Sequence, residues 1–107
     1  MTDRIEQLKS KLLQAKSSWI FVWETIEKAL EAYPDMPYLP KHYLFQCQVF
    51  LDSNQKLIEK YEEIISSFKE SSLSDEEYEY ADQVLNNLIT DHQAKSISID
   101  NILRNHL

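Results

Sequence analysis

The sequence predicts an all-α protein: an antiparallel up-down bundle of three long helices plus a short C-terminal helix, folded as a single domain over residues 1–107. Three observations predict it. Apolar residues recur at alternating spacings of three and four, which keeps one face of a helix against a neighbour. No stretch of period-two alternation lasts longer than three or four residues, so strands are not expected. Glycine is absent from all 107 residues, and tight two-residue hairpins want it at their centre.

The first seam runs Ile5, Leu8, Leu12, Ala15, Trp19, Val22, Ile26, Ala29, Tyr33 and predicts a helix over residues 3–33. Leu13, Ile20, Trp23 and Leu30 widen the stripe on one flank, as a bundle helix with two neighbours requires. Pro34 ends it, because proline lacks the ladder N–H and disfavours helix in the residue before it. Pro34, Pro37 and Pro40 make the connector a rigid corner, and Pro40 suits the first position of the next helix. A second seam follows through Tyr43, Cys47, Phe50, Asn54, Leu57, Tyr61, Ile64 and Phe68. Its rhythm crosses Asp52-Ser53-Asn54-Gln55 in phase, which favours one helix. A break there, with Asp52 and Gln55 as a capping box, would give a four-helix bundle instead. Ser71-Ser72-Leu73 is the next turn. Ser74 with Glu77 reads as a capping box, and Leu73 with Tyr78 as its hydrophobic staple. The third seam runs Tyr78, Ala81, Leu85, Leu88, His92. Ser96 to Asp100 is expected to break it, with Ser98 or Asp100 capping a final short helix that holds Ile99, Ile102 and Leu103.

Composition excludes several chemistries. Phosphate-binding loops, dinucleotide fingerprints and nucleophile elbows all need glycine where the backbone turns sharply or approaches a ligand. Eighteen acids against eleven bases give a net charge of −7. Residues 71–107 are the acidic end, with only Lys95 and Arg104 against seven acids. Nucleic-acid binding needs the opposite sign, so it is not expected. The single cysteine, Cys47, can form no internal disulfide, and its place in a seam reads as a buried, inert thiol. The start MTDRIEQLK is no signal peptide, and the longest apolar run, Trp19 to Trp23, is far short of a membrane span. A cytoplasmic protein without membrane contact is the expectation. His42, His92 and His106 show no metal-ligand spacing, and no Ser-His-Asp or Cys-His arrangement follows from this order. His92 reads as a helix-end histidine near a C-terminal dipole.

The acidic group Asp75, Glu76, Glu77, Glu79, Asp82 is the first candidate site. Acids in a first turn stabilise a helix start, but Glu79 and Asp82 lie beyond it. They are three apart, as are Glu59 and Glu62 on the preceding helix, so each pair shares a face. If the two pairs converge, four carboxylates could hold Mg²⁺. The segments Leu57-Ile58-Glu59-Lys60-Tyr61-Glu62-Glu63-Ile64 and Glu79-Tyr80-Ala81-Asp82-Gln83-Val84-Leu85 resemble the Glu-x-x-Glu and Glu-x-x-Asp helices of the all-α, MazG-type nucleoside triphosphate pyrophosphohydrolases, with Ile99-Asp100 near a later family segment. That resemblance implies Glu59, Glu62, Glu79 and Asp82 as metal ligands. It covers about 45 residues. In a second register Lys60 stands where the first glutamate would be, paired with Glu63, and the family's basic residues for triphosphate have no clear counterpart.

Phe21 is the second candidate, because at 100° per residue it points nearly opposite the centre of the first seam. An outward aromatic is a partner anchor in many interfaces. Tyr33, Met36, Tyr38 and Tyr43 at the proline corner read as caps on the bundle end. The leading expectation is a small, acidic, non-catalytic protein-binding module. It docks on and occludes a basic protein partner through Asp75, Glu76, Glu79, Asp82, Glu62, Glu63 and Phe21. Inhibitors and toxin-immunity proteins share its size and acidity. No catalytic residue and no cofactor belong to that reading; Mg²⁺ belongs only to the pyrophosphohydrolase alternative. A second alternative is a self-associating structural subunit, a homodimer through the long seam of the first helix.

Overall fold

A computed structural model describes residues 3–106. It is all-helical, with α1 at Arg4–Ala32, α2 at Tyr38–Ser67 and α3 at Asp75–His106, and no strand among the described residues. The carboxylate of Asp3 caps α1 by accepting the Ile5 N–H at 2.8 Å. Glu70, from the turn between α2 and α3, accepts the Arg4 and Ile5 N–H groups at 3.2 Å each. α1 stops before Pro34, as its ring requires. α2 starts earlier than expected, at Tyr38, with Pro37 at its cap. Pro40 thus stands third in the first turn, where N–H groups have no intrahelical acceptor anyway, so the missing donor costs nothing. α2 passes Asp52 without a break. At the start of α3 the Ser74 N–H donates to Glu77 Oε1 and the Glu77 N–H donates to Ser74 Oγ, both at 3.1 Å.

The short fourth helix does not form: α3 continues through Ser98 and Asp100 to His106. The seam is not broken there. His92 and Ile99 are both fully buried, one heptad apart. Lys95 fills the position between them, with its ammonium 5.0 Å from the Phe50 ring centroid and 6.0 Å from that of Tyr43. The aliphatic stem serves as the apolar residue of that turn while the charge rests over aromatic faces. A lysine hides the repeat from a reading that counts only apolar residues.

Arg4 meets Asp75, Lys11 meets Asp82 and Ser18 meets His92, so α1 and α3 run in the same direction. Lys16 meets Glu62 while Trp19 meets Leu51, so α2 runs opposite to α1. The molecule is a rod of 56 × 21 × 18 Å. One core cluster joins Leu8, Leu12 and Ala15 to Ile58, Tyr61, Ile65, Ala81, Leu85 and Leu88. The other joins Val22, Ile26 and Ala29 to Met36, Leu44, Cys47, Leu51 and Ile99. Trp19 packs on both clusters, stacked on Trp23 at 5.3 Å, and its indole N–H donates to the Leu51 carbonyl at 2.6 Å.

Two seams need adjustment. The buried line of α2 is Pro40, Leu44, Cys47, Leu51, Asn54, Ile58, Tyr61, Ile65. Tyr43, Phe50, Leu57 and Ile64 are half-buried one position to the side. α2 is apolar around so much of its circumference that two 3-4 lines can be drawn through Cys47, Asn54 and Tyr61. On α1, Trp23 and Leu30 are half-buried, but Leu13 and Ile20 are exposed, as is Tyr33 at its C-cap.

Candidate functional site

The acidic residues lie at the end of the rod where α1 and α3 begin and α2 finishes. Several are held by the chain's own bases. Asp75 accepts from Arg4 Nη1 at 2.6 Å, while Arg4 Nη2 donates to the Leu73 carbonyl at 2.9 Å and the guanidinium stacks 5.0 Å over Tyr78. Asp82 is paired with Lys11 and accepts from the Asn86 amide at 3.3 Å. Glu62 is paired with Lys16 at 2.6 Å. Ser74 holds the Glu77 carboxyl below its ordinary value through the hydrogen bond from its backbone, with the hydroxyl adding to it.

Glu63, Glu76 and Glu79 are different. They are exposed, and no ion pair among the described residues involves them. At the same end of the rod a shallow groove between α2 and α3 is lined by Tyr61, Ile64, Phe68, Glu77, Tyr80 and Ala81. Tyr80 leaves 64% of its surface exposed and stacks on the buried Tyr61 at 6.5 Å. Burial pushes the Tyr61 hydroxyl up from its ordinary value of 10.0, so that ring is neutral near pH 7. Sequence reasoning passed over Tyr80. The available signal was its position, an aromatic off the seam inside the run Glu76-Glu77-Tyr78-Glu79-Tyr80.

Phe21 is exposed as expected, but it does not join this surface. It lies ten residues beyond Lys11 on α1, about 15 Å along the axis. There it flanks a separate groove between α1 and α3 with Ser18, Val22, His92 and Ile97. The four carboxylates Glu59, Glu62, Glu79 and Asp82 are not gathered into one group. Lys16 holds Glu62 on the α2 side of α1, and Lys11 holds Asp82 on the α3 side. Among the described residues no cluster of three or more His, Cys, Asp or Glu could hold a metal ion.

At mid-rod the structure assembles a polar group that the sequence did not announce. His92 is not a helix-end residue; it is wholly buried in the middle of α3. Its Nδ1 is 2.8 Å from Ser18 Oγ and its Nε2 is 3.1 Å from the Asn54 amide nitrogen. The amide donates to Nε2, so Nδ1 carries the proton and donates to Ser18, whose hydroxyl donates to the Ala15 carbonyl at 3.0 Å. The imidazole thus gives a proton to serine instead of taking one. This is the wrong polarity for a general base, and the trio acts as a polar tie between the three helices. Burial lowers the pKa of His92 and keeps the ring neutral. Cys47 is buried as expected, and burial raises its thiol pKa.

No helix among the described residues is long and apolar enough to cross a membrane. No protein-family model matches the chain, and no curated protein or solved structure matches it significantly.

Proposed function

We propose that this chain is a small, non-catalytic binding module that docks its acidic end on a basic surface of another protein and occludes it, as inhibitors and toxin-immunity proteins do. The observation that carries the reading is that Glu63, Glu76 and Glu79, at the same end of the rod as the exposed ring of Tyr80, are exposed and take part in no ion pair among the described residues. Unpaired acids steer a cationic partner, and an aromatic on a shallow groove supplies the apolar anchor. Asp75, Asp82 and Glu62 serve the fold first, since displacing Arg4, Lys11 or Lys16 from them would cost what the partner's base gains. Phe21 lies outside the docking surface.

The test is affinity capture by the tagged chain from its source cell. It is run at about 50 mM and about 500 mM salt, a range over which exposed ion pairs become screened. One basic protein is expected, recovered at low salt and thinned at high salt, and lost when Glu76→Lys and Glu79→Lys are combined. Recovery that survives the double substitution removes the acidic face from the account.

A further inference from the structure

α2 carries a second line of residues on the side away from the core. Tyr38, His42, Phe45, Val49, Asp52 and Lys56 are spaced four, three, four, three, four, and all six are exposed. Tyr38, Phe45 and Val49 leave 73%, 45% and 67% of their surface uncovered. At 3.6 residues per turn the six fall within about 80° of arc, opposite the buried line through Cys47. Tyr38 and His42 already stack at 5.4 Å. Asp52 and Lys56 take part in no ion pair among the described residues.

The line is complementary to its own reverse. Turn a second copy about a two-fold axis at the level of residue 47, and Phe45 faces Val49 of the second copy, His42 faces its Asp52, and Tyr38 faces its Lys56. Each contact is favourable in kind: apolar on apolar, an acid beside an imidazole, a cation over an aromatic face. The spacing also makes every facing pair an a position against a d position, the layering of two antiparallel helices at heptad spacing. A parallel pairing would set Asp52 on Asp52 and Lys56 on Lys56. The seam of α1 offers no such surface, because this chain's own α2 and α3 cover it. The geometry points to a homodimer formed back to back through α2, antiparallel and centred at Cys47. Its interface is closed by the two-fold and leaves the acidic end of each copy free.

Sedimentation equilibrium of the whole chain from about 5 µM to about 500 µM tests this. The mass should climb from 12.7 kDa towards twice that value. Val49→Glu should hold it at the monomer, with unchanged far-ultraviolet circular dichroism because Val49 supports no core contact. Asp52→Lys sets a base against His42 of the second copy and should raise the dissociation constant about tenfold or more. Adding His42→Glu should restore the dimer. Residues 42 and 52 lie about 15 Å apart on one helix, so only contact between copies can produce that rescue. A monomer at every concentration overturns the proposal and leaves the face to a different protein. A dimer indifferent to Val49→Glu, or a charge exchange without rescue, overturns it as well.

Discussion

His92 accepts from Asn54 and donates to Ser18 in a core otherwise built of aliphatic and aromatic side chains. Its folded pKa lies below its ordinary 6.5, so between those values the unfolded chain binds a proton that the folded chain refuses. Stability is therefore full above about pH 6.5 and declines as the pH falls through that window. Urea midpoints between about pH 7.5 and about pH 5 should show the decline, and His92→Leu should flatten it. That substitution strands the Asn54 amide and should cost about 1–3 kcal/mol, whereas His92→Leu with Asn54→Leu should recover most of the loss. Glu77 acts lower on the scale. Its carboxyl is held below the ordinary 4.5, so its contribution is present above that value and is lost as the pH falls through its folded pKa. The capping box was plain from Ser74 and Glu77 because both partners lie three residues apart. The His92 trio was not, because its members are 38 and 74 positions apart in the chain.

At the scale of the helix, start signals, seams and stops respond separately. Ser74→Ala should cost about 0.5–2 kcal/mol in chemical denaturation, with the loss of an N-cap as its cause. Lys95→Met should leave the melting temperature nearly unchanged, since the stem keeps its place under Phe50 and Tyr43. Lys95→Asp should lower it clearly by setting a short acid against those rings. A melting temperature equally indifferent to both would show that α3 does not depend on position 95 for its continuity. The helices were legible from their 3-4 rhythm, and so were the stop at Pro34 and the all-α class. The continuation of α3 past Ser96 is not legible in the sequence for one physical reason: a long amphipathic side chain can hold an apolar position without being an apolar residue.

For the whole molecule, the rod shape decides what can be measured. The Cα radius of gyration is 16.7 Å, against about 13 Å for a compact domain of this length. Solution scattering should return the larger value for Val49→Glu, and elution volume alone should overstate its mass. Two rods joined side by side through α2 thicken without doubling in length, so scattering also separates that dimer from an end-to-end one. Leu85→Ala, at a fully buried site shared by all three helices, should cost about 2–5 kcal/mol. In a domain of this size that lowers the melting temperature by roughly 4–8 °C per kcal/mol, a loss too large to mistake for a surface effect.

By itself the sequence determined that the chain is helical, where its first helix stops, how its third begins, and that its last third is acidic. These are local properties, set by side-chain period, proline geometry, capping and composition. Only the tertiary structure decided which acids are free. Asp75, Asp82 and Glu62 look no different from Glu76, Glu79 and Glu63 in the sequence, until packing brings Arg4, Lys11 and Lys16 against the first three and leaves the others in solvent. The same packing chose between the two apolar lines of α2, burying the one through Leu44 and Leu51, leaving Tyr43, Phe50, Leu57 and Ile64 half-buried at its side and a third face with Tyr38, Phe45 and Val49 exposed. A helix this apolar has more than one face that could go inward, and the choice rests on the shape and volume of its two neighbours.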